Sequence, residues 1–326
     1  MAHKLLQPAP VLIMTYTRYN HLWQTVEALK KNYLADQTDL FIASDYQKTD
    51  KDKEAVDKVR DYIYNIDGFK SITPVLREKN YGYGDNFYKS KEKIYENYDR
   101  LIFMEDDIVT APGFLKFIND GLDAYQDNQD IYAICGYLYY CQQQFVSTYN
   151  QVCLHGFNTW GYGVWREKEK SIERGVKFVK EFIRNPRFFV EMNRAAPDLF
   201  PNAVIVAEKN LVAEDVIIHL NMIKQRRFCI FPFKSLVRNI GLDGSGIHCV
   251  RNDVIGQQEI YEGLIEITPI TNPFEDKKNT KLIYKYFGGT KKMMKYFATL
   301  FPRYVAKLLL PRLFYRKCRD FIRNAG

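Results

Sequence analysis

Leu101-Ile102-Phe103-Met104-Glu105-Asp106-Asp107 sets four apolar residues directly against three acids. The apolar run has the length of a strand and no polar alternation, the pattern of a strand buried on both faces. A helix is expected next, because Pro112 can open one and Phe114, Leu115, Ile118, Leu122 and Tyr125 then share a face. Working outward, the same order recurs upstream. Val11-Leu12-Ile13-Met14 leads to Leu22, Val26, Leu29 and Tyr33 at steps of four, three and four. Asp39 to Ala43 leads to Val56, Val59 and Ile63, and Ser71 to Leu76 leads to a helix from about Asp85 to Tyr98. Such alternation predicts an α/β fold, a mostly parallel, Rossmann-like sheet of uniformly apolar strands flanked by helices on both faces.

Beyond Asp130 the alternation stops. Tyr132 to Tyr140 reads as a strand, Gln151 to Trp165 is rich in glycine and aromatics, and helices are expected between Lys168 and Arg184 and from Ala213 to Lys224. Phe228 to Phe233 reads as a further strand, and Gly241, Gly244 and Gly246 mark a flexible loop.

The 326 residues can bury a full core, and a composition 46% hydrophobic and 15% aromatic excludes a disordered chain. The net charge of +8 is unevenly placed: Lys277 to Gly326 holds 14 Lys or Arg against one acid, and the preceding residues hold 33 basic against 38 acidic. The expected division is therefore a catalytic body over 1–273 and a basic, amphipathic helical tail over 274–326. Six scattered cysteines without CxxC spacing read as reduced thiols rather than a disulfide framework or zinc site. No apolar run approaches the roughly 18 residues of a spanning helix. With no export signal evident, a cytoplasmic location is expected.

The acids carry the chemistry. In open parallel sheets ligands bind beyond the carboxyl ends of the strands, where Glu105, Asp106 and Asp107 would stand. Adjacent carboxylates repel unless a cation sits among them, and a hard divalent ion suits a diphosphate. The bland alternative is acids capping the next helix or merely solvated. Two further features stand out: Trp160-Gly161-Tyr162-Gly163, where glycine between aromatics suits a sugar ring or a tight core turn, and Glu214-Asp215 at a helix start.

Together with Pro10 to Asn20 and Asn80-Tyr81-Gly82-Tyr83-Gly84-Asp85-Asn86, the Leu101–Val109 stretch resembles GT-A glycosyltransferases. It is similar to the N-acetylglucosaminyltransferase I-like group, whose metal motif is written EDD, and to bacterial family 2 enzymes. The resemblance implies that Asp107 ligates Mn2+ or Mg2+, and that Glu105 and Asp106 contact ribose or donor sugar. It implies that Thr15, Arg18, Asp45 and Asn80 hold the nucleotide of a donor, expected to be a UDP-sugar, with Asp45 accepting from the uracil. Trp160 and Gly161 would shape the sugar pocket, and His248 would be a donor contact on a closing loop. Asp215 would be the base of an inverting transfer, with Glu214 as the neighbour that could replace it. The acceptor would be a glycan or a lipid-linked hydroxyl in bacterial surface polysaccharide assembly.

The tail mixes Tyr284, Phe287, Met293, Tyr296 and Leu308 with cations, the composition of helices on an anionic membrane surface. Peripheral attachment to the inner face of the membrane is expected; nucleic acid is not, because the body is acidic and carries no reading motif. Two alternatives stay open. A sugar nucleotidyltransferase would want a glycine-rich loop after the first strand, and Thr15 to Asn20 has no glycine. A catalytically silent, carbohydrate-binding scaffold would keep the fold without turnover.

Overall fold

The computed structural model describes residues 7–139, 149–196, 198–211, 213–244, 253–271, 273, 276–295 and 298. The first half alternates as expected: β1 (Val11–Thr15), α1 (Tyr19–Lys30), β2 (Asp39–Ser44), α2 (Lys53–Ile63), β3 (Ser71–Leu76), α3 (Gly82–Tyr95), β4 (Arg100–Glu105), β5 (Ile108–Thr110) and α4 (Phe114–Ala124). Then come β6 (Ile131–Cys135), β7 (Gln151–Leu154), β8 (Tyr162–Trp165), α5 (Arg166–Lys170), α6 (Val176–Arg184), α7 (Pro186–Ala195), α8 (Leu199–Lys209) and α9 (Glu214–Gln225). The chain closes with β9 (Phe228–Pro232), β10 (Val237–Asn239), α10 (Asp253–Gly256) and α11 (Lys277–Tyr286).

Eight strands form one sheet in the order β3-β2-β1-β4-β8-β6-β9-β7. The first four are mutually parallel, β8 runs against β4 and β6, and β7 runs against β9. Side chains alternate across the sheet. Val11 and Ile13 join Leu22, Val26, Val59, Phe114 and Ile118 on the face covered by α1, α2 and α4. Leu12 and Met14 join Phe87, Val179, Phe182, Ala203, Ile217 and Leu220 on the face covered by α3, α6, α8 and α9. Each fully buried Val, Leu, Ile or Phe contributes roughly 1.5–3 kcal/mol, so the two-sided burial of β1 and β4 fixes their register. That register brings Thr15 level with Ser44, and Met14 level with Glu105, at the carboxyl end of the sheet.

Several expectations change. β3 is an edge strand and is mostly half-exposed, with only Val75 buried, so it is not covered on both faces. Pro74 suits such an edge, since it donates no ladder hydrogen bond. The strand expected from Tyr132 stops at Cys135: the Gly136 N–H donates to the Gly161 carbonyl (2.7 Å) and its own carbonyl accepts from Leu236 N–H (2.9 Å), so the chain turns from the ladder. The helices expected between Lys168 and Arg184 are α5 and α6, with Gly175 at φ +91° directly before α6. The glycine and aromatic stretch holds β8, which lies at the sheet's centre. A Cβ on Gly163 would stand 2.4 Å from Ile118, and one on Gly161 3.0 Å from the Phe114 ring; these glycines seat α4 on the sheet. Trp165 is core, 5% exposed.

The three described cysteines, Cys135, Cys153 and Cys229, are buried and unbridged. The tail's first helix is docked on the body: Asp276 N–H donates to the Cys153 carbonyl (3.1 Å), Ile283 is buried in the larger core cluster, and Phe287 meets Tyr139 edge-on at 5.4 Å. Among the described residues no helix is long and apolar enough to cross a membrane.

Candidate active site

The acids at the end of β4 are not loose in solvent. Asp106 is 4% exposed and Asp107 3%. Thr15 Oγ1 donates to Asp106 Oδ2 (2.9 Å), and Arg18 Nη2 donates to both Asp106 Oδ1 (2.5 Å) and Asp107 Oδ2 (2.7 Å). The backbone is tied as firmly: Thr25 Oγ1 donates to the Asp106 carbonyl (2.8 Å) and Ile240 N–H to the Asp107 carbonyl (2.9 Å). Burial opposes the Arg18 charge, but the two carboxylates outweigh it and drive its pKa further up. Burial likewise raises the Asp106 pKa, against the pull of Arg18.

Glu105, one residue before Asp106, follows the strand alternation onto the face of Leu101 and Phe103. Its Oε1 accepts from the Tyr83 hydroxyl (3.1 Å), and burial together with the Asp107 charge pushes its pKa up to about 8. Tyr83 is 51% exposed, with its ring stacked on Phe87 at 6.0 Å and 9°. Asp215, in the first turn of α9, is near enough to add to the electrostatic load on both Glu105 and Tyr83. It is exposed, yet enough protein surrounds its carboxyl for desolvation to raise its pKa, with the Val216 N–H opposing. Glu214 points elsewhere: it is buried, accepts from the Tyr88 hydroxyl and faces Arg174 Nε at 3.4 Å. Arg174 in turn pairs with Glu169 (3.2 Å), which Lys91 and Tyr95 also engage. Of the two acids, Asp215 is the exposed one.

Asp45 directly follows β2 and is 6% exposed. Its carboxylate accepts N–H bonds from Tyr46 (2.9 Å), Tyr81 (3.0 Å) and Gly82 (2.8 Å). It thereby supplies the start of α3 with the acceptor that its own N-cap side chain lacks. This is why α3 begins at Gly82, ahead of the expected start near Asp85. Asn80 Nδ2 donates to the Tyr46 carbonyl (2.7 Å), pinning the same turn. Gly161 has φ +72° and its free side is filled by Phe114 and Val237, while half-exposed Trp160 meets Tyr137 edge-on at 4.5 Å. His248 lies outside the described residues.

Two participants escaped sequence reading. Tyr83 looked like part of a glycine turn, and only an aromatic flanked by glycines at a helix start hinted at it. Gly241 looked like the hinge of a mobile loop. In fact β10 pairs with β5, directly after the acids, and carries Gly241 onto them: a Cβ there would stand 2.1 Å from Asp107 Oδ2.

Among the described residues no three His, Cys, Asp or Glu side chains converge as a metal cage would. Asp107 Oδ1, however, is buried without a hydrogen-bond partner. One open carboxylate oxygen fits a hard divalent ion whose remaining ligands are substrate phosphates and water, rather than an ion caged by protein alone.

No family model matches the chain, and no curated protein matches it. Among solved structures it is similar to the mannosyltransferase PcManGT from Pyrobaculum calidifontis in complex with GDP-Man and Mn2+, at 10% identity over 68% of this chain and 75% of that one, with a TM-score of 0.37. It is similar to residues 1–349 of S. aureus TarS at 10% identity over 95% and 77% of the two chains, with a TM-score of 0.41. It is also similar to the glycosyltransferase GlyE of Streptococcus pneumoniae TIGR4 at 12% identity over 90% and 64%, with a TM-score of 0.36. At these values the functional reading rests on the residues of this chain.

Proposed function

We propose that the chain is a metal-dependent, inverting glycosyltransferase that moves a sugar from a nucleotide diphosphate donor, a UDP-sugar, to an acceptor hydroxyl. The observation that carries this reading is the buried, unpaired Oδ1 of Asp107 next to Glu105, which feels the charges of both Asp107 and Asp215. Asp107 would hold Mn2+ or Mg2+ through that oxygen. The chemistry the ion supplies when bound is positive charge against the diphosphate as it leaves. Asp106, itself held by Thr15, and Asp107 hold Arg18 where its remaining N–H groups can meet phosphate oxygens. Asp45 keeps the β3–α3 turn in place for the nucleotide, and Glu105 with Tyr83 lines the donor sugar. Asp215 takes the proton of the acceptor hydroxyl as that oxygen attacks the anomeric carbon opposite the leaving diphosphate. The bond from carbon to diphosphate breaks with its electron pair on the leaving group, and the configuration inverts. A base so placed contributes roughly 100 to 10,000-fold.

The acceptor in this reading is a glycan or lipid-linked hydroxyl of bacterial surface polysaccharide assembly, met at the inner face of the membrane to which the basic tail attaches. Incubation with radiolabelled UDP-sugars and Mn2+, with and without membrane lipid extract, tests it through UDP release. Release that depends on Mn2+ and disappears in Asp107→Ala is expected; silence with every common donor would instead favour a sugar-binding scaffold.

A further inference from the structure

We infer that this site takes a divalent cation only as the chelate of a diphosphate, and that Arg18 enforces the restriction as the resident counter-cation of Asp106 and Asp107. The inference deepens, and rests on, the nucleotide-sugar reading. Of the four carboxylate oxygens of the two aspartates, three are already engaged: Asp106 Oδ2 by Thr15, and Asp106 Oδ1 and Asp107 Oδ2 by the same nitrogen of Arg18. Only Asp107 Oδ1 is open, and it is buried. An ion arriving alone would therefore gain a single protein oxygen. It would share that carboxylate with a guanidinium, and two cations on one carboxylate in a desolvated setting repel each other.

A diphosphate reverses both terms. It brings its own oxygens to the ion, as Mg2+ and Mn2+ sites with one or two carboxylates require. It also brings negative charge that a guanidinium can bind in fork geometry, so Arg18 changes from competitor to partner. Gly241, whose Cβ would meet both Asp107 Oδ2 and Arg18 Nη1, keeps the approach to this pair narrow. A monophosphate, with one phosphate group to share between ion and arginine, satisfies the site less well.

The test is Mn2+ retained by the full chain in equilibrium dialysis, beyond what each probe binds without protein, with UDP, UMP or inorganic pyrophosphate as probes. In the wild type UDP is expected to tighten Mn2+ binding by at least about tenfold, and UMP to leave it nearly unchanged. Arg18→Gln is expected to raise affinity for Mn2+ alone by about tenfold or more, and adding Asp107→Asn to abolish that gain. Arg18→Lys keeps a charge at the position and should hold Mn2+ alone as weakly as the wild type while losing part of the tightening by UDP that the fork supplies, with thermal unfolding reporting that each variant is folded. Wild-type binding of Mn2+ alone as tight as with UDP, or a folded Arg18→Gln with no gain, overturns the proposal while leaving the transferase reading intact. If pyrophosphate tightens Mn2+ binding and UDP does not, the proposal stands and the nucleotide reading falls.

Discussion

A methyl group added at Gly241 would stand 2.1 Å from Asp107 Oδ2 and 2.8 Å from Arg18 Nη1, closer than any side chain tolerates. Gly241→Ala must therefore displace either the loop or the acid. The expected result is a loss of at least about tenfold in Mn2+-dependent UDP affinity by calorimetry, with a lowered thermal midpoint because Gly241 is itself buried against the acid. Asp215 yields a prediction of opposite kind. Its pKa is raised, chiefly by desolvation, above the ordinary 3.8, and a base works only when unprotonated. Turnover should thus be present above the raised pKa and fall as pH drops through it, with the acid limb displaced upward from the usual carboxylate range. Asp215→Asn should keep UDP binding and lose roughly 100 to 10,000-fold in turnover; normal turnover in that variant would remove Asp215 from the mechanism. Both Asp107 and Asp215 were legible in the sequence because acids directly after a buried strand or at a helix start are local patterns. Gly241 was not, because what it touches is far away in the chain. Asp45 was legible as important, but its three N–H partners on the β3–α3 turn follow from register, which composition does not reveal.

Among the elements, β1, β2, β4, α1, α2 and α4 could be read directly, since unbroken apolar runs and spacings of three and four leave little ambiguity. β8 could not. Tyr162, Gly163, Val164 and Trp165 carry the composition of a ligand-binding turn, and it is pairing with β4 on one side and β6 on the other that makes them a central strand. α7 and α8 were also missed. α8 is apolar almost all round and has Pro201 in its first turn, so no amphipathic stripe marks it. The packing of α4 on β8 gives a check. Gly163→Ala puts a methyl 2.4 Å from Ile118 and 3.0 Å from Leu122, both on α4. Overpacking there should lower unfolding free energy by about 1–3 kcal/mol, measured in urea. Because α4 follows the acids, part of the loss should appear as weaker UDP binding; an unchanged urea midpoint would mean that α4 does not rest on that glycine.

At the scale of the molecule, charge and packing divide the chain at different places. Charge breaks near residue 273, but α11 belongs to the body by contact, through buried Ile283 and half-buried Phe287 against Tyr139. Lys277, Lys278, Lys281, Lys285 and Lys291 remain exposed. Two truncations therefore differ in consequence. Ending the chain after Pro273 removes a core isoleucine with its helix and should cost at least about 2 kcal/mol of stability, so a lost membrane interaction in that variant would be uninterpretable. Ending it after residue 298 keeps α11 while removing seven Lys or Arg and one acid, Asp320. If the basic end seeks an anionic surface, each cation contributes about 1 kcal/mol near it, so removing several should weaken co-sedimentation with phosphatidylserine vesicles by well over tenfold. The interaction should also fade as salt shortens the Debye length, since exposed charges are screened where buried ones are not. The thermal midpoint and Mn2+-dependent UDP binding of the shorter chain should match those of the full one. Vesicle binding unchanged at low salt would assign the attachment to the four exposed lysines of α11 with Lys291 or remove it from the protein altogether, and substituting those five by glutamine separates the two.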